Sequence, residues 1–208
     1  ERQCNAGRAR RAARYGGIEH HQATFAQALA ERFGKIDFIL RGVAGLFSAQ
    51  NIVEKREFEV YVAGLKPTEA LPEVVAIGFA RRVEVARASA IEAILSASYE
   101  RDVRILPAPD PERAAFAFPV VFLWPQAAQI SGAIGYDGYA EPVRRRAINA
   151  ALLSGGTAMT APIAMQALGA TQRGAAVLVY RVARSVDDYN PEGGDEGLIA
   201  LGLDVAHL

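Results

Sequence analysis

Residues 116–165 read FAFPVVFLWPQAAQISGAIGYDGYAEPVRRRAINAALLSGGTAMTAPIAM, and this stretch decides the fold. Val120–Trp124 is a continuous apolar run stopped by Pro125, which predicts a strand buried on both faces and ended where proline removes a ladder donor. A second strand is expected over Ala133–Asp137. A helix follows, with Pro142 in its first turn, Glu141 four residues before Arg145, and Val143, Ala147, Ala150 and Ala151 along one narrow face. Ser154, Gly155 and Gly156 end it, as glycine past a helix terminus commonly does. Thr157 to Ala164 alternates into a third strand closed by Pro162, so the order is strand, strand, helix, strand.

Working upstream, Phe25, Leu29, Phe33, Ile36, Leu40, Val43 and Phe47 recur at helical spacing, a continuous seam about six turns long. Such a seam packs on its own domain or pairs with a second copy in the manner of a coiled coil. Gly34, Gly42 and Gly45 each weaken the isolated helix by about 1 kcal/mol relative to alanine, so packing must hold it. Asn51 with Glu54 marks a second helix start, with Phe58, Tyr61, Val62 and Leu65 inward and Gly64 and Pro67 at its end. Val74 to Ala80 reads as a strand. Arg81 to Val83 leads into a helix with Ala86, Ala90, Ile91, Ile94 and Leu95 inward. Val103 and Ile105 suit a short edge strand, and the prolines of residues 107–111 make a rigid connector.

Downstream, Ala175 to Val182 reads as a long strand, Asp187 to Gly197 as an exposed loop, and Leu198 to Asp204 as the last strand. The 208 residues suit one domain or a domain plus a helical extension, and a folded chain of that size buries roughly 70% of its unfolded surface. Basic and acidic residues balance at 23 each, which argues against a nucleic-acid or anionic-membrane footprint. Partners of that kind are not expected. The single cysteine, Cys4, cannot form an internal disulfide, so the redox compartment stays open. No run approaches 18 apolar residues, and Glu1 opens no signal-peptide pattern. Arg2, Arg8, Arg10, Arg11 and Arg14 make the first turns basic, a solvated helix face.

The pieces FPVVFLWP, AIGYDGYAEPVRRRAINAALLSGG and AMTAPIAM, with LFSAQNIVEKREFEVYV and VVAIGFARRV before them and GAAVLVYRVAR after, resemble the CHASE domain in order and spacing. That family is the cyclase- and histidine-kinase-associated sensory extracellular module. The resemblance covers roughly Thr24 to the C-terminus. It implies an α+β fold with a PAS-like antiparallel sheet of about five strands, a long N-terminal stalk helix and a second helix. Residues 1–66 would form the helical stalk and 67–208 the ligand-binding sensor. It further implies the periplasmic or extracellular part of a membrane receptor in a two-component or cyclic-nucleotide system. Flanking membrane helices, outside this sequence, would link it to a kinase, cyclase or phosphodiesterase.

Enzymatic readings find little support. His20, His21 and His207 have no metal-ligand spacing, no GxSxG elbow occurs, and SGGT at residues 154–157 follows a helix and precedes a strand, the reverse of a phosphate loop. No catalytic residue, metal or cofactor is assigned. Phe79, Phe122, Trp124, Tyr136, Thr160 and Tyr180 are large or hydroxylated groups at strand positions and are expected around one pocket face. Arg81, closing the strand of Val74 to Ala80, is the expected cation for an anionic ligand group. Asp137 either holds backbone amides near the start of the helix or contacts the ligand. The resemblance places Thr160 at a position that lines the pocket in plant cytokinin receptors. The carboxylate that those receptors use falls at or beside Pro125, where this chain has no acid, so the ligand class is open.

The expected function is therefore a small-molecule sensor domain, with a homodimer through the stalk as a possible assembly. Its rivals are a cytoplasmic α/β enzyme with an unrecognised site and a ligand-free dimerisation spacer.

Overall fold

A computed structural model of the chain describes residues 2–50, 52–112, 114–125, 130–164, 174–184 and 196–207, with side chains from residue 24 onward. Two compact units are present, residues 1–38 and residues 39–208. The long helix α1 spans Arg2–Ala49. In the first unit Phe25 is 69% and Phe33 50% exposed, so these two seam positions face solvent, whereas Ile36 is buried. Leu40, Val43 and Phe47, in the second unit, are buried.

The second unit continues with α2 (Lys55–Gly64), the single turn α3 (Pro67–Ala70), β1 (Val74–Arg81), β2 (Val83–Glu84) and α4 (Ala88–Tyr99). Then come β3 (Phe116–Ala117), β4 (Val120–Trp124), α5 (Pro142–Ser154), β5 (Thr157–Met159), β6 (Ile163–Ala164), β7 (Ala175–Arg184) and β8 (Glu196–Asp204). Among the described residues six strands form one antiparallel sheet in the order β4-β1-β8-β7-β5, with β6 also on β7. The fold is α+β with an N-terminal helix, as expected.

Alternation along the strands gives the sheet two unlike faces. Phe79 pairs with Phe122 and Ile199, and Ile77 with Leu201, so large side chains share one face. Phe47 stacks on Phe79 with ring centroids 3.9 Å apart, and Phe58 meets Phe122 at 5.5 Å. The end of α1 and α2 therefore cover this face with an aromatic core. The other face carries Ala76 opposite Gly202 and Gly78 opposite Ala200, with Leu178 and Tyr180 next in line on β7. That face is low at its centre.

Several sequence expectations give way to local chemistry. β4 is not buried on both faces; Val121 and Leu123 are buried while Val120, Phe122 and Trp124 are half-buried. Ala133–Asp137 is no strand, because Gly135 takes φ +86° and turns the chain. Its backbone is satisfied piecemeal, by Gly135 N–H to Val120 O (2.9 Å) and Asp137 N–H to Leu106 O (2.7 Å). Val103 and Ile105 are buried outside any named strand; their N–H groups bond to Ser96 Oγ and Glu92 Oε1 of α4, both at 2.9 Å. Within α4 only Leu95 is buried, and Ala86, Ala90 and Ile94 are exposed, since β2 and a turn of 3-10 helix take up the residues before Ala88. Glu54 rather than Asn51 caps α2, with Glu57 Oε2 accepting its N–H at 3.0 Å; Asn51 lies outside the described residues. Residues 187–195 of the expected loop also lie outside them, whereas Gly197 belongs to β8.

Candidate functional site

The low sheet face is roofed by α5, Phe118 and residues 130–138, and a cavity of about 60 Å³ lies between them. Its floor is Ala76, Gly78, Ala80, Ala200 and Gly202, whose missing side-chain volume makes the space. Phe118, Leu123, Ile130, Ile148 and Leu178 supply apolar walls. Polar groups gather where α5 begins: Tyr136, Tyr180 and Arg144. Fill by water-sized groups is on the order of five, so the space suits a small molecule.

The start of α5 is held by two carboxylates. Glu141 is the N-cap, and its oxygens accept the N–H of Val143 at 3.0 Å and of Arg144 at 2.9 Å. Burial works to raise its pKa, but these two bonds and the charges of Arg144 and Arg146 outweigh it and hold the carboxyl below its ordinary range. Asp137 is 1% exposed, and its Oδ1 accepts from Phe118 N–H at 2.9 Å and Tyr139 N–H at 3.0 Å. This ties the roof to the start of α5. Gly155, at φ +62°, ends the helix.

Arg144 is 3% exposed, and its guanidinium lies over the Tyr136 ring at 4.5 Å. Tyr180 is 3% exposed; burial drives its pKa up, Arg144 opposes this, and Tyr136, Glu141 and Asp137 add to it. It is a neutral hydroxyl throughout the physiological range. A Cβ on Gly138 would sit 3.5 Å from Tyr180 Oη and 3.8 Å from Arg144 Cδ, which places these groups side by side at one end of the cavity.

The eight residues expected to bind ligand fall into distinct places. Tyr136 and Tyr180 line the cavity. Asp137 stands beside it, occupied with backbone amides. Phe79, Phe122 and Trp124 share the opposite, helix-covered face by register. Arg81 shares the register of Phe79 and is half-buried at the end of β1. Thr160 is buried between β5 and β6, where its N–H donates to Leu178 O at 2.9 Å and its Oγ1 accepts from Leu178 N–H at 3.0 Å. Its hydroxyl oxygen thus carries a ladder bond across the interruption at Pro162.

The floor glycines and alanines and Arg144 were not singled out by the sequence reading. A signal for Arg144 exists: it precedes Ala147, Ile148 and Ala151 by three, four and seven residues, the spacing of one helix face, so one arginine of the run had to share the buried stripe. Among the described residues no cluster of His, Cys, Asp or Glu is placed to hold a metal ion, and no helix is long and apolar enough to cross a membrane.

A search of curated proteins finds no match to the chain. The profile of the CHASE domain matches residues 51–204, a span that runs from just before α2 to the end of β8 and takes in the sheet, α5 and the cavity. The chain therefore belongs to the CHASE domain family, the sensory domains of signalling receptors.

Proposed function

We propose that this domain is the extracytoplasmic ligand-binding part of a transmembrane receptor, and that its ligand is a small, largely apolar molecule held between the low sheet face and α5. The observation that carries this is the cavity itself: a floor of alanine and glycine on the two adjacent strands β1 and β8 and apolar walls, with polar groups confined to one end. Such a composition is the usual character of a small-molecule site. A ligand would send a signal only by binding two arrangements of the domain with different affinity.

A melting screen across metabolites tests the site. A bound compound raises thermal stability by mass action, by about 2.7 kcal/mol at a hundredfold excess over the dissociation constant. Ala200→Leu puts a branched side chain on the cavity floor. A compound that stabilises the wild type and fails to stabilise this variant supports the site; equal stabilisation of both places the binding elsewhere. Extracytoplasmic placement is tested separately, by a topology reporter fused within this domain in the parent receptor. Activity of the reporter on the cytoplasmic side alone removes that part of the proposal.

Within the first unit, Phe25, Leu29 and Phe33 follow at steps of four along α1 and stand partly or largely open to solvent. That stripe supports self-association through the stalk helix. Sedimentation at high protein concentration should show a weak dimer that Phe33→Asp reduces. A monomer at every concentration removes it.

A further inference from the structure

Resting on the cavity proposed above as the ligand site, we infer that Tyr180 is the residue that selects the ligand's chemistry, and that the ligand is uncharged with a hydrogen-bond acceptor, such as a carbonyl oxygen or ring nitrogen, seated against Oη. Buried tyrosine hydroxyls ordinarily find a partner, because an unmet polar group away from water is costly. Tyr180 is 3% exposed and lines the cavity, yet among the described residues its hydroxyl forms no hydrogen bond. Oη lies beside Gly138, whose lack of a side chain leaves the approach open; even a methyl there would sit at 3.5 Å.

The hydroxyl stays protonated, so it enters the cavity as a donor. The charges around it favour an uncharged acceptor over an anion. Arg144 is the largest single charge effect on Tyr180, but it shares the start of α5 with two carboxylates. Glu141 sits on the N–H groups of Val143 and Arg144 and Asp137 on that of Tyr139, so an incoming carboxylate would face two acids beside one cation. The remaining walls are apolar and reward hydrocarbon.

The test uses three probes of equal non-hydrogen atom count: cyclopentanone, methylenecyclopentane and cyclopropanecarboxylate. Each is titrated into the full chain and into Tyr180→Phe, with the methyl resonances of Leu178 and Ile148 as the readout. The ketone should bind the wild type and lose roughly five-fold in affinity in Tyr180→Phe, the value of one neutral hydrogen bond. Methylenecyclopentane should bind both proteins alike, and the carboxylate should bind more weakly than the ketone.

If the ketone binds both proteins equally, the cavity stands as a site and the role of Tyr180 falls. If the carboxylate binds more tightly than the ketone, the uncharged ligand class falls. If no probe shifts either methyl, the cavity and the inference fall together.

Discussion

Asp137 and Glu141 show how two carboxylates four residues apart fix the polar end of the cavity without entering it. Removing Asp137 leaves the N–H of Phe118, itself fully buried, without its acceptor. Asp137→Ala should therefore destabilise by about 1–3 kcal/mol in chemical denaturation, the cost of a stranded buried donor. An unchanged midpoint would mean that the roof relaxes to meet water. Glu141→Ala removes the cap of α5 and should cost about 1 kcal/mol. The sign with pH follows from its lowered pKa. The folded state prefers the carboxylate, so the cap's contribution is complete above the ordinary carboxylate range and fades as pH falls through the depressed folded value. The gap in melting temperature between wild type and Glu141→Ala should accordingly narrow in acid; a gap that is constant with pH contradicts the role of the charge. Residue types were legible in the sequence here, but partners were not. Asp137 as a holder of backbone amides could be reasoned from its place before a helix, whereas Glu141 as cap was hidden because its spacing from Arg145 suggested an ion pair instead.

At the scale of elements, periodicity located the strands and helices but did not say which way they face. β8 shows why. Leu198, Ala200 and Gly202 alternate with Ile199, Leu201 and Leu203, so one face is low and the other high, and only the pairing register says which one meets the helices. The aromatic residues Phe79, Phe122 and Trp124 suggested a pocket by their type, yet α1 and α2 supply Phe47 and Phe58 to cover that face. The cavity lies where the sequence offers small residues, a weaker signal because alanine and glycine draw no attention. Gly197 marks the same two-sidedness. A Cβ there would overlap the Phe79 ring and lie 2.8 Å from Ala80 O. Gly197→Ala must push against backbone as well as ring, and should destabilise by about 1–3 kcal/mol. A neutral result in equilibrium unfolding would show that β8 starts after Gly197, as the expected loop had it.

Across the whole molecule the two sheet faces differ: one is filled by aromatic side chains from α1 and α2, and the other borders the cavity proposed as the ligand site. Thr24 onward resembled the CHASE pattern in sequence, and the domain profile covers residues 51–204, so the sensory class was legible from motif order even where single elements were misread. The polar end of the cavity was not legible, since it needs Arg144 of α5 and Tyr180 of β7 to meet, residues far apart in the chain. The most direct measurement is a methyl NMR map of the domain with a stabilising compound from the melting screen. Shifts should concentrate at Leu178, Ile148, Leu123 and Ile130 around the cavity, with Ile77, Ile199 and Leu201 on the helix-covered face little changed. Shifts concentrated on Ile77, Ile199 and Leu201, with the cavity methyls silent, would contradict this placement of the site.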